Sequence, residues 1–164
     1  MTIGERIKRI RTFRCMTQAE LGAELGFEEK NRAVRIAQYE SNYRVPKSEM
    51  IMKMAEILNC NYKALCNYDF GSAEDIIETL FWLEEANANS LSFHELYPVS
   101  HDRDVKMTYN ERYYSGSVLP VAVIFNYGLV NDFLYEWSSK KEELKDGIIN
   151  ADEYFDWKIT WPHT

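Results

Sequence analysis

Glycine and proline are scarce in this chain of 164 residues, with 7 and 4 copies. So few breakers exclude collagen-like or low-complexity organisation and leave long stretches free to fold as regular elements. Cysteine occurs only as Cys15, Cys60 and Cys66. An odd number without paired spacing argues against a disulfide framework, and no Cys-x-x-Cys is present to start a zinc site. The histidines, His94, His101 and His163, are scattered and read as ordinary polar residues rather than ligands. Neither a metal nor a cofactor is expected. No apolar run is long enough to cross a bilayer, and the start, Met1 to Phe13, carries a basic amphipathic pattern rather than a signal peptide. A cytoplasmic location without a membrane partner is the expectation.

What is present points to a packed protein. Hydrophobic residues make up 46% and charged residues 27%, values typical of a globular core with a solvated surface. The length suits one domain or two small ones. Aromatics reach 14%, most of them after residue 60. The net charge of −7 is unevenly spread. Residues 1–70 hold 12 Lys and Arg against 9 Asp and Glu, whereas residues 71–164 hold 7 against 17. A duplex-binding surface therefore belongs to the first half, because phosphates would be repelled by the second. The acidic half suits solubility, a protein partner or a dimer interface.

Apolar spacing predicts five short helices in the first 65 residues or so. Ile3, Ile7 and Ile10 recur at helical spacing among Arg6, Lys8, Arg9, Arg11 and Arg14. Thr17 to Glu20 forms a capping box, opening a second helix that buries Leu21 and Leu25 and ends at Gly26, with Phe27 plugging the turn. A third helix is expected from about Asn31 to Tyr39, with Val34 and Ile36 as candidate core residues. Ser41 to Pro46 reads as a loop. Met50, Ile51, Met54, Ile57 and Leu58 mark a fourth helix, and Asn61 caps a short fifth that buries Leu65.

Beyond Phe70, Ser72 is the expected N-cap of a helix from Ala73 to about Ala88, with Ile76, Ile77, Leu80, Phe81 and Leu83 as its apolar set. Three β-like runs follow: Leu91 to Val99, Val105 to Tyr109, and Val118 to Asn126, the last containing Pro120 at an edge or strand start. A helix through Leu129, Phe133, Leu134, Trp137 and Leu144 comes next, then one opened by Asn150 to Glu153. The fold class is thus α+β. An all-α, five-helix domain over residues 1–69 precedes a small α+β domain, α-β-β-β-α-α, over residues 70–164.

Ile3 to Ile7, Met16 to Leu21, Gly26, Ile36 to Glu40, Arg44 to Pro46 and Ala55 to Leu58 agree, in order, with a known pattern. Over residues 3–66 the chain resembles the helix-turn-helix domain of the Xre family, the class that includes the lambdoid phage repressors. The resemblance implies a DNA-binding domain whose second helix of the motif enters the major groove. Gln38 is the leading candidate for a base contact, since a carboxamide pairs bidentately with adenine; Arg35 and Arg32 could reach guanine or phosphate. Gln18, Tyr39, Asn42, Arg44 and Lys47 suit phosphate contacts. Glu40 is expected to cap or brace the fold rather than touch DNA, because a carboxylate beside phosphates is unfavourable. Cys15 stands where the family commonly has glycine. The segment between Gly26 and Ile36 is about four residues longer than the family's usual turn, and Glu28 to Asn31 either lengthen the loop or extend the recognition helix.

The acidic half carries no assigned activity, although its tail, Val130 to Lys158, resembles segments attached to some Xre-like regulators of Gram-positive bacteria. Glu84, Glu85, Asp102 and Asp104 follow no catalytic pattern, and no nucleophile order or phosphate-cradling loop is present, so an enzyme is not expected. Most of the aromatics are expected to build a core, with a surplus for a dimer interface or an aromatic-lined ligand cavity. The functional expectation is a sequence-specific transcriptional regulator, a repressor that binds double-stranded DNA at a palindromic operator as a homodimer. The alternative is a protein-binding inhibitor or antitoxin, whose acidic domain engages another protein while the N-terminal domain autoregulates its operon.

Overall fold

The computed structural model describes residues 1–66, 68, 72–95, 108–109, 112–113 and 121–162. The chain is helix-rich with small antiparallel sheets, within the expected α+β class. It divides into two compact units, Met1–Asp69 with Lys140–Thr164, and Phe70–Ser139.

Helices α1 (Ile3–Phe13), α2 (Gln18–Glu24), α3 (Arg32–Glu40), α4 (Ser48–Ile57) and α5 (Tyr62–Leu65) occupy the first unit. After α6 (Ala73–Ala86) come strands β1 (Leu91–Glu95), β2 (Thr108–Tyr109), β3 (Arg112–Tyr113) and β4 (Val121–Phe125), then α7 (Gly128–Lys145) and α8 (Ala151–Thr160). The core of the first unit joins Ile3, Ile7 and Ile10 of α1 with Leu21, Ile36, Met54, Leu58 and Leu65. Sequence patterning groups everything from residue 70 onward into one domain, whereas α8 packs into the first unit. Ile159 lies in its core, and the carbonyl of Ile159 accepts from the Asn61 N–H at 2.7 Å. The Phe155 ring meets Phe13 edge-on at 4.9 Å, and Arg14 pairs with Asp156 at 2.8 Å. The signal for this return was present in the sequence as an apolar set on a well-capped helix, but no local pattern says which body such a helix joins.

Short helices need their ends satisfied, and here they are. Capping boxes open α1 (Thr2 with Glu5), α2 (Thr17 with Glu20), α6 (Ser72 with Asp75) and α8 (Asn150 with Glu153). The Thr17 N–H and hydroxyl hold the Glu20 carboxyl below its ordinary range. At the other ends the same stop recurs. A residue with positive φ follows the helix, its N–H reaches back three residues, and the next N–H reaches back five. Gly26 (φ 78°) and Gly147 (φ 73°) fill that place after α2 and α7. Cys15 (φ 56°) and Asn59 (φ 47°) fill it after α1 and α4.

The second unit contains β1 paired antiparallel with β4, Leu91 opposite Phe125 through Glu95 opposite Val121, and β2 paired with β3. Strand β3 was not expected. The remainder of the predicted β-like runs, with Pro120, lies outside the described residues. The expectation that most aromatics build a core does not hold here. Among the described residues of this unit only Leu91 is buried, while Phe81, Trp82, Phe93, Tyr127, Tyr135 and Trp137 are exposed. Ile76 and Ile77 of the predicted α6 apolar set are exposed as well. A cleft of about 290 Å³ lies between the end of α6 and the β4–α7 turn, lined by Leu83, Asn87, Ser90, Phe125, Tyr127 and Val130.

Two expectations follow from the cysteines. A left-handed backbone costs a Cβ-bearing residue about 1–2 kcal/mol, and glycine recovers that less its own entropic cost. Cys15→Gly should therefore raise stability by about 0.5–1 kcal/mol in urea denaturation, and an unchanged midpoint would show that Cys15 sits there without strain. Burial pushes the Cys60 thiol up to about 11, whereas Cys15 is exposed. A thiol reagent at pH 8 should label Cys15 rapidly and Cys60 only on unfolding; equal rates in the native protein would contradict the packing of Cys60.

Candidate nucleic-acid interface

Gly26 ends α2 in a left-handed turn, with the Phe27 N–H bonded to the Gly22 carbonyl at 2.9 Å. The chain then makes one further turn before α3, where the N–H groups of Asn31 and Arg32 both donate to the Glu28 carbonyl. Of the two choices left open by the sequence, the extra residues lengthen the loop, and α3 begins at Arg32. Phe27 packs partly into the core beneath this loop, and the Arg35 guanidinium lies over its ring at 4.9 Å. Helices α2 and α3 approach so closely that a Cβ on Gly22 would lie 2.6 Å from the Arg32 carbonyl oxygen.

A buried cluster of charged and polar groups fixes the other end of α3. Glu40 accepts from Arg11 Nε at 2.5 Å and Nη2 at 3.1 Å, and from Gln18 Nε2 at 2.7 Å. Arg11 Nη1 also donates to the Met16 carbonyl. The side chains of Arg11 and Glu40 are 11% and 4% exposed, so this carboxylate ties α1, the turn before α2, α2 and α3 together out of water. Glu40 thus braces the fold, as the sequence suggested.

Beyond the brace, Asn42 takes a left-handed conformation (φ 59°). Its Oδ1 accepts from the Gly4 N–H at 3.0 Å, and its Nδ2 donates to the Thr2 hydroxyl at 2.9 Å. A phosphate contact was expected of Asn42, but its carboxamide is engaged at both ends in holding the loop to the start of α1. Gln18 is likewise held by Glu40.

The remaining expected residues divide by direction. Ile36 is fully buried, which turns the opposite side of α3 outward. Gln38 is half-buried on that side and Arg35 is exposed. Gln38 uses its backbone carbonyl to accept from the Arg44 N–H, while its carboxamide has no hydrogen-bond partner among the described residues. Arg32 is drawn toward Glu29, with 3.2 Å between the charged groups. Tyr39, Arg44 and Lys47 line an open cleft of about 410 Å³ with Val45, Met50 and Lys53. Lys53 was missed by sequence reasoning, for it reads as an ordinary polar position of α4 until the fold sets it beside Arg44 and Lys47.

Val34 corrects a prediction. It was expected in the core beside Ile36 but is 56% exposed, against 0% for Ile36. Two residues along a helix turn the side chain about 200°, so both could not face inward. Val34 instead shares the outer side with Gln38, one turn away.

Among the described residues no group of histidine, cysteine and carboxylate side chains is arranged to hold a metal ion, and no helix is long and apolar enough to cross a membrane. The family model described as helix-turn-helix matches residues 7–65. No curated protein matches the chain. Among solved structures, the transcriptional regulator BswR is similar at 23% identity with a TM-score of 0.39, covering 52% of this chain and 94% of that one.

Breaking the brace at one partner should destabilise the unit. Glu40→Ala leaves Arg11 buried without its partner and should cost about 3–5 kcal/mol in chemical denaturation. Replacing Arg11 and Glu40 together with apolar residues of similar volume should recover most of that loss. A loss below 1 kcal/mol for the single variant would mean the pair is not a brace.

Proposed function

We propose that this protein, whose residues 7–65 match the helix-turn-helix family model, is a repressor of the Xre class that binds a palindromic operator as a homodimer. The observation that carries the base-reading assignment is the outer side of α3, where the Gln38 carboxamide is unengaged on a helix held rigid from behind by Glu40. A carboxamide so placed matches the N6 and N7 edge of adenine, and Arg35 beside it matches guanine. Arg32 serves from the start of the helix once it leaves Glu29.

The phosphate contacts fall to Arg44, Lys47 and Tyr39, with Lys53 added from the same cleft. Gln18 and Asn42 act differently from the first expectation. Each positions the recognition helix or the loop after it, and so sets where the cations lie rather than neutralising phosphate directly. A single domain of this size covers few base pairs, and two copies one DNA turn apart multiply their selectivity, which is the reason for proposing a dimer on a palindrome.

The second reading, a protein-binding inhibitor or antitoxin that also controls its own operon, is favoured by one observation. The unit Phe70–Ser139 holds 11 acidic residues against 3 basic ones. Such a surface complements a basic protein. A partner that co-purifies with the full chain and is released by moderate salt would favour this reading.

Gln38→Ala should weaken operator binding and relax base preference at one position per half-site, by about 1–3 kcal/mol. Unchanged binding in a mobility-shift titration would remove Gln38 from the interface. Affinity of the unmodified chain should fall steeply as salt rises, since cations released from phosphates drive association; a flat response would exclude duplex binding through this cleft.

A further inference from the structure

We propose that Val34 reads the C5-methyl group of a thymine lying within two base pairs of the adenine that Gln38 reads. The inference rests on the assignment of α3 as the recognition helix and adds an apolar element to its code. Val34 is the third residue of α3 and is 56% exposed. The N-terminal part of a recognition helix is the part that meets base edges. The neighbours Ala33 and Ala37 are small, so the valine stands above the helix surface as a knob.

The spacing fits. Val34 and Gln38 are four residues apart, which places them on one side of the helix and about 6 Å apart along its axis. Stacked base pairs are about 3.4 Å apart, so the two side chains face pairs no more than two steps from each other. In the major groove thymine alone of the four bases offers a methyl group, and an apolar side chain is what selects it. Valine is suited to that task because branching at Cβ holds its two methyl groups in essentially one rotamer within a helix. The same branching makes valine a poorer helix former than alanine. At an exposed position the cost brings no core contact in return, and Ile36 already supplies the apolar anchor of α3.

The test uses the full chain and the duplex it selects from a random pool. Each thymine of that duplex is replaced in turn by deoxyuridine, which removes the methyl group and nothing else. One thymine per half-site, within two base pairs of the position relaxed by Gln38→Ala, should weaken binding by about 3- to 10-fold when replaced, the worth of roughly one buried methyl group and its packing. Val34→Ser, at a site without core contacts, should keep the native circular dichroism spectrum and bind the thymine and deoxyuridine duplexes equally. Wild-type binding that is indifferent to every replacement overturns the inference while leaving duplex recognition intact. Discrimination that persists in Val34→Ser does the same. If the pool yields no bound duplex, the recognition-helix assignment itself fails and the inference falls with it.

Discussion

A single buried carboxylate holds α3, the proposed recognition helix, in place. Glu40 is the last residue of α3, and it accepts hydrogen bonds from Arg11 of α1 and Gln18 of α2. Between helices as short as α1 to α5, 4 to 11 residues long, apolar attraction is non-directional and by itself gives each rod some freedom of register and roll. A directed, bidentate ion pair removes that freedom, because its geometry is satisfied in one arrangement only. Such a pair adds little net stability over an apolar substitute. Its contribution is orientation, which the proposed presentation of particular α3 atoms to particular bases requires.

Close backbone approach works to the same end. Gly22 lets α2 lie against the start of α3, and Gly4 lets α1 approach its far end, where a Cβ would meet the carbonyl oxygens of Tyr39 and Glu40. The helix is thus gripped at its first turn by packing, at its last by charge, and just beyond by the Asn42 carboxamide. These contacts leave its outer side free of the rest of the domain. With few glycines available, the chain stops α1 and α4 with cysteine and asparagine in left-handed conformations, accepting some strain there.

Much of this was legible in the sequence, and the exceptions have physical causes. Capping boxes, the Gly26 stop and the burial of Leu21, Ile36 and Leu65 are local signals, and the role of Glu40 follows from the cost of a carboxylate beside phosphates rather than from its partners 22 and 29 residues away. Val34 was misplaced because apolarity was taken for burial, when helical geometry allows only one of two residues spaced by two to face the core. Asn42 and Gln18 were read as free donors, since a sequence does not disclose that a carboxamide is already engaged by residues 22 to 40 positions away. Lys53 needed the fold to bring it to the cleft. The membership of α8 in the first unit depends on contacts spanning more than 90 residues, which no pattern of adjacent residues encodes.

The return of α8 to the first unit bears on how the protein is made. Ile159 and Phe155 complete a core whose other members are synthesised by residue 65, with the whole unit Phe70–Ser139 translated in between. At about 5–20 residues per second, the ribosome needs several seconds to more than ten to cover that interval. During it the nascent helix-turn-helix module stands with Phe13 and Asn61 lacking their late-arriving partners. Maturation of the module is thereby timed by the length of the segment inserted within it.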